Sequence, residues 1–122
     1  MLYSEKERGD ITLQPKKIAE LLKTLAEDKK AEDLVLLDIS KHSSIAHYFL
    51  ICHGKSDRHV KSIAMHLMDE MKQLKMQAYH VEGLTEGKWV LLDFGPVIAH
   101  IFYHETREFY SLERLWGEAK KI

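Results

Sequence analysis

Polar residues without a period fill the chain up to residue 13, and an apolar rhythm begins only after Gln14-Pro15. Proline suits the first position of a helix, where its missing N–H has no intrahelical acceptor to lose. Ile18, Leu21, Leu22 and Leu25 then recur at the spacing of one helical face, with Lys16, Lys17, Glu20 and Lys23 around the rest of the cylinder. Residues 1–13 therefore read as a flexible tail and 14–122 as one domain that opens with a surface helix. The run Leu34-Val35-Leu36-Leu37-Asp38-Ile39 is nearly continuous in apolar character, which predicts a strand covered on both faces and placed centrally in a sheet. Tyr48 to Cys52 predicts a second strand, ending at Gly54.

From Ser56 the period changes. Val60, Ile63, Ala64, Leu67, Met68, Met71 and Leu74 hold one helical face over about five turns, with Ser56 as N-cap and Asp57 in the favourable first turn. Three strands follow, at Ala78 to Glu82, Trp89 to Phe94 and Val97 to Tyr103, separated by a turn from Gly83 to Lys88 and by Gly95-Pro96. Phe109, Leu112, Leu115 and Trp116 predict a closing helix capped by Gly117. The order helix, two strands, helix, three strands, helix gives an α/β (α+β) fold, a mixed five-stranded sheet with flanking helices. The crossover at residues 48 to 82 implies a parallel pair.

Composition narrows what such a domain does. In 122 residues, 18 Lys and Arg face 19 Asp and Glu, and this balance offers no general attraction for nucleic acid or an anionic membrane. The longest apolar stretch falls far short of the roughly 20 residues that span a bilayer. Cys52 is the single cysteine, so no internal disulfide and no four-thiolate zinc site is available, and a cytoplasmic location is expected. The N-terminal residues carry acidic groups and lack the apolar core of a targeting signal.

Candidate chemistry is sparse. Gly54-Lys55-Ser56, between a strand and a helix, is placed to hold an anion, yet the glycine that a nucleotide-phosphate loop needs five positions earlier is Phe49. Helix capping is the favoured reading there, with Arg58 and Ser56 contacting an acidic group as its functional counterpart. Among the eight histidines, His59 and His66 share a helical face about 10 Å apart, too far for one ion. His100 and His104 spread to about 13 Å if the former lies in a strand, so no metal site is expected. The strands hold no paired carboxylates two apart for two-metal chemistry, the nearest analogue being His80 and Glu82 with Asp93 on another strand. Cys52 in an apolar strand reads as an inert buried thiol. An enzyme is not expected, and no cofactor is implied.

The suggestive feature is Trp89. Period two puts Trp89, Leu91 and Asp93 on one face of their strand, and if that face is partly uncovered it presents an apolar patch rimmed by Glu82, Glu86 and Asp93, suited to a basic protein partner. The alternative, with both faces covered and Trp89 in the core, has even weight from periodicity alone.

Four ordered blocks resemble a known family. Ser43-Ser44-Ile45-Ala46-His47-Tyr48-Phe49, Gly54 to Val60 with Ile63-Ala64, Val81-Glu82-Gly83 with Trp89 to Gly95, Val97, His100 and Phe102, and Arg107 to Gly117 are similar to the blocks of the ribosomal silencing factor family, RsfS or Iojap. The resemblance runs from about residue 16 to the end. It implies a fold related to nucleotidyltransferases without their catalytic carboxylates. It also implies a non-catalytic protein that binds the large ribosomal subunit through ribosomal protein fourteen and sterically blocks joining of the small subunit when nutrients are short. Carried onto this sequence, the contact residues implied are Glu82, Trp89, Asp93 and His100, with Tyr48 and Arg58 as neighbours. Little direct RNA contact and no DNA or membrane contact are expected, and self-association as a homodimer stays open. Two alternatives also stay open. One is a nucleotidyltransferase-like, nucleotide-binding enzyme using the Gly54 to Arg58 turn with His80, Glu82 and Asp93; the other is a factor in large-subunit assembly. Two positions depart from the family pattern: His47 and Pro96 each stand where it has Asp.

Overall fold

The computed structural model describes residues 14–110 and 120–121. Helix α1 (Pro15–Asp28) is followed by strands β1 (Glu32–Asp38) and β2 (Tyr48–Gly54), helix α2 (Asp57–Gln73), strands β3 (His80–Glu82), β4 (Trp89–Asp93) and β5 (Val97–Tyr103), helix α3 (His104–Tyr110) and a two-residue strand β6 (Lys120–Lys121). The tail at 1–13 and the closing helix expected at Leu112, Leu115 and Trp116 with its Gly117 cap lie outside the described residues. No helix among the described residues is long and apolar enough to cross a membrane.

The five expected strands form one mixed sheet in the order β3-β4-β5-β2-β1, which β6 extends at the β1 edge. The parallel pair is β2 with β5, Tyr48 opposite Val97 through Gly54 opposite Tyr103, and all other pairs are antiparallel. The crossover through α2 therefore does not deliver its strand beside β2. Short β3 goes to the far edge, and the chain returns through β4 before β5 takes the inner place. Nor is β1 central. Its Leu36 and Leu37 are buried on opposite faces, which explains the continuous apolar run, but coverage of both faces says nothing about how many neighbours a strand has. The central strands are β5 and β2.

One sheet face receives both long helices. Ile18, Leu22 and Leu25 of α1 and Val60, Ile63, Leu67 and Met71 of α2 pack with Leu50, Cys52, Val90, Leu92, Ala99 and Ile101 of the sheet. Leu21 and Met68 border this core, whereas Leu74 lies just past the end of α2 and is exposed. Leu37, Phe49, Ile51, Ile98 and Phe102 form a second apolar cluster on the opposite face. Both helices end in the same way. Lys30 and Lys75 adopt φ of 59° and 62°, and paired backbone bonds close each end: Lys30 to Glu27 with Ala31 to Ala26, and Lys75 to Lys72 with Met76 to Met71. This is the Schellman arrangement with lysine where glycine is usual.

Candidate functional site

The turn from Gly54 to Arg58 satisfies its own donors. Ser56 Oγ accepts the N–H of His59 at 3.0 Å, and Asp57 Oδ1 accepts that of Arg58 at 2.9 Å. The Lys55 N–H donates to His59 Nδ1 at 3.0 Å, which leaves the imidazole proton on Nε2, facing the Lys29 carbonyl at 2.7 Å. His59 thus ties the end of α1 to the start of α2. A Cβ at residue 54 would stand 3.0 Å from both the His59 ring and the Val60 nitrogen, so a larger residue there would press on this junction. The capping reading holds, and the Lys55, Arg58 and His59 N–H groups are taken by side chains rather than left for a phosphate.

The carboxylates lie elsewhere. Glu82 pairs with Leu91, and His80 with Asp93, in the β3–β4 register; Asp93 in turn faces Ile98 of β5, while Gly54 faces Tyr103. Five residues along β5 separate the two places, about 16 Å, and the turn leads into a helix on the other side of the sheet. His80 bonds to Glu82 through Nε2, and Asp93 Oδ1 accepts the Gly95 N–H at 2.8 Å in the turn before β5. The residues of the nucleotide-binding alternative are thus not brought together. No group of three His, Cys, Asp or Glu side chains converges as a metal site among the described residues. Burial pushes the Cys52 thiol up to about 12, so at neutral pH it stays protonated inside the sheet.

Trp89, Leu91 and Asp93 share the face away from α1 and α2, in register with Phe102, His100 and Ile98 of β5 and, for the last two of β4, with Glu82 and His80 of β3. Trp89, Leu91 and Asp93 are half-buried, Glu82 and Glu86 exposed. The choice left open by periodicity is therefore resolved: this face is partly uncovered, and Glu82 and Asp93 flank an aromatic and an aliphatic side chain on it, whereas Glu86 sits in the turn whose Gly87 meets Asp57 and Lys61 of α2. Lys88, beside Trp89, is drawn to the opposite face, its Nζ 4.7 Å from the centre of the Tyr103 ring. Gly83 is fixed by the same region, since a Cβ there would lie 2.0 Å from the Trp89 carbonyl oxygen and the backbone holds φ of 79°.

His100 lies beneath the patch, not on it. It is 4% exposed, and its Nδ1 accepts the Trp89 indole N–H at 3.1 Å. The indole also packs on Phe102, ring centres 4.9 Å apart. With Nδ1 accepting, the proton sits on Nε2, which is buried without a hydrogen-bond partner. Burial holds the His100 pKa down at about 4, so the ring is neutral at physiological pH.

Two expected neighbours sit apart from this group. Tyr48 alternates onto the helix-covered face of β2, where it packs against the main core, and burial, Asp38 and Glu20 raise its pKa. Arg58 is exposed in the first turn of α2, at the other end of the sheet. Sequence reading placed Leu91 on the Trp89 face but did not show His100 as its support, because the register of β4 on β5 that brings His100 under Trp89 is not contained in one chain's periodicity.

Comparison with known proteins places the chain. The family described as "Ribosomal silencing factor during starvation" (RsfS) matches residues 12–122. The ribosomal silencing factor RsfS of Bacillus subtilis is 41% identical over 107 residues, covering 88% of this chain and 91% of that protein. A crystal structure of a Chromobacterium violaceum protein superposes with a TM-score of 0.84 at 32% identity, covering 86% of this chain and 88% of that one. A mouse protein named for mitochondrial assembly of the ribosomal large subunit is 31% identical over 123 residues, 92% of this chain but 54% of its own length.

Proposed function

The chain belongs to the ribosomal silencing factor family, and from that membership we propose that it binds the large ribosomal subunit through ribosomal protein fourteen and, by its bulk, keeps the small subunit from joining. Translation is then repressed under nutrient limitation without any catalytic step, in the cytoplasm. The observation that carries this reading is the Trp89 face. A half-buried indole held by His100 and Phe102 supplies a rigid anchor, and Glu82 and Asp93 supply a rim of one sign. A chain with net charge −1 gains little from rRNA phosphates, whereas a basic ribosomal protein complements this rim. Glu82, Trp89, Leu91 and Asp93 are the contact in this proposal, and His100 acts through Trp89.

The test is sedimentation. The protein should travel with isolated large subunits, be absent from joined ribosomes, and lower the yield of joined ribosomes when added before small subunits. Unchanged joining on particles saturated with the protein refutes occlusion. A second reading, assistance in large-subunit assembly, is favoured by the name of the mouse relative. It predicts immature large subunits on gene loss, with joining of mature particles unaffected.

A further inference from the structure

Behind the Trp89 face, on the same side of the sheet, three elements meet at one imidazole. His53 of β2 faces Phe102 of β5, which in turn faces Trp89 of β4. The Arg107 guanidinium of α3 lies 2.9 Å from His53 Nδ1, and Arg107 also reaches the Glu32 carbonyl at 3.5 Å. Arginine can only donate, so Nδ1 must accept and the imidazole proton must be on Nε2. That nitrogen is 3.2 Å from Glu32 Oε1 on β1, and Lys55 Nζ is 3.6 Å from the other carboxylate oxygen. Arg107 is 8% exposed although it is always charged, and half-buried His53 is one of the groups that hold it there.

We propose that neutral His53 is a proton-sensitive latch that fastens α3 to the sheet by accepting from Arg107 while donating to Glu32, and that protonation of the ring releases α3. A protonated imidazole has no acceptor for Arg107 and sets a second positive charge 2.9 Å from the guanidinium. Among the described residues, the groups facing His53 are Glu32 and Asp33 from β1, Lys55 just beyond β2, and His104 and Arg107 from α3. Burial and then Arg107 lower its pKa, His104 adds in the same direction, and Asp33 and Glu32 oppose them. The His104 ring centre lies 6.4 Å from that of His53. The latch is a property of the fold and stands apart from the ribosomal reading.

Hydrogen exchange of the α3 amides, corrected for intrinsic chemistry, at about pH 7.5 and about pH 5.5 tests this. In the unmodified chain, exchange at residues 107–110, whose amides can bond within α3, should rise roughly fivefold or more on acidification while the α2 amides stay protected. His53→Gln is the decisive variant, because its side-chain oxygen can accept from Arg107 and its NH2 can donate to Glu32, but it does not titrate. A lost pH slope in His53→Gln, whatever its absolute rate, supports the latch. The same slope in both proteins, or none in the unmodified chain, overturns it.

Discussion

The indole N–H of Trp89 ends on Nδ1 of His100, 3.1 Å away on the neighbouring strand. Because Leu91, not Trp89, is the register partner of His100, the bond runs diagonally and holds the indole across Phe102. Loss of the anchor and loss of its support should therefore differ. Trp89→Ala should abolish cosedimentation with large subunits and leave a folded protein, destabilised by about 2 kcal/mol because the side chain is only half-buried. His100→Phe should weaken binding roughly tenfold through a looser indole, about 1.4 kcal/mol. Its stability should change by about 1 kcal/mol or less, since the buried unpaired Nε2–H goes with the ring. Full binding by Trp89→Ala would move the contact to another surface.

Acid should weaken the fold before the carboxylates titrate fully. The His100 pKa is lowered from 6.5 to about 4 by burial, so below pH 6.5 the unfolded chain binds a proton that the native chain refuses. Stability from this residue is complete above pH 6.5, declines as pH falls, and is gone below about 4, a total of about 3 kcal/mol. His53, also lowered, adds a loss in the same direction beginning near its ordinary value. Urea midpoints across this range should fall less steeply in His100→Phe, and an identical slope would mean that the native ring takes up its proton without penalty.

Helix termination offers a gain. Lys30 and Lys75 hold left-handed backbone at the closing turns of α1 and α2, a conformation that costs a residue with a Cβ roughly 1 kcal/mol or more. Lys75→Gly should raise stability by about 0.5 kcal/mol, the relief being partly offset by the freer unfolded chain. Thermal unfolding checks this, and a lowered midpoint would show that the lysine side chain contributes more than its backbone strain.

The same two ends show which features were legible in the chain. The body of α2 announces itself because seven apolar residues keep one period and Ser56 supplies the cap. Its end does not, since Leu74 continues the rhythm while lysine replaces the expected glycine. The strands could be found from composition, but their order could not: β1 reads as central because Leu36 and Leu37 are both covered, and only pairing shows β5 and β2 at the centre. The acidic rim with Trp89 was readable from strand parity within β4. That Tyr48 belongs to the other face, and that His100 is a buried support, depend on registers between residues roughly 50 and 10 positions apart in sequence.

The two departures from the family pattern, His47 and Pro96, are 49 positions apart and meet in space, for the His47 N–H donates to the Pro96 carbonyl at 2.8 Å. Tyr48 N–H donates to the same oxygen at 3.1 Å, and Asp93 caps the turn that carries it. Two missing carboxylates therefore thin the negative charge at one place, the end of β4 that bears the rim. His47 is exposed, and the Pro96 carbonyl survives any substitution, so both changes are tolerable to the backbone. His47→Asp and Pro96→Asp should each tighten binding to a basic ribosomal protein by roughly twofold to threefold, about 0.5 kcal/mol. The gain should come mostly in association rate and shrink as added salt shortens the screening length. Titration at two salt concentrations decides the matter: affinity unaltered by the double substitution at low salt would show that this corner of the sheet faces away from the partner.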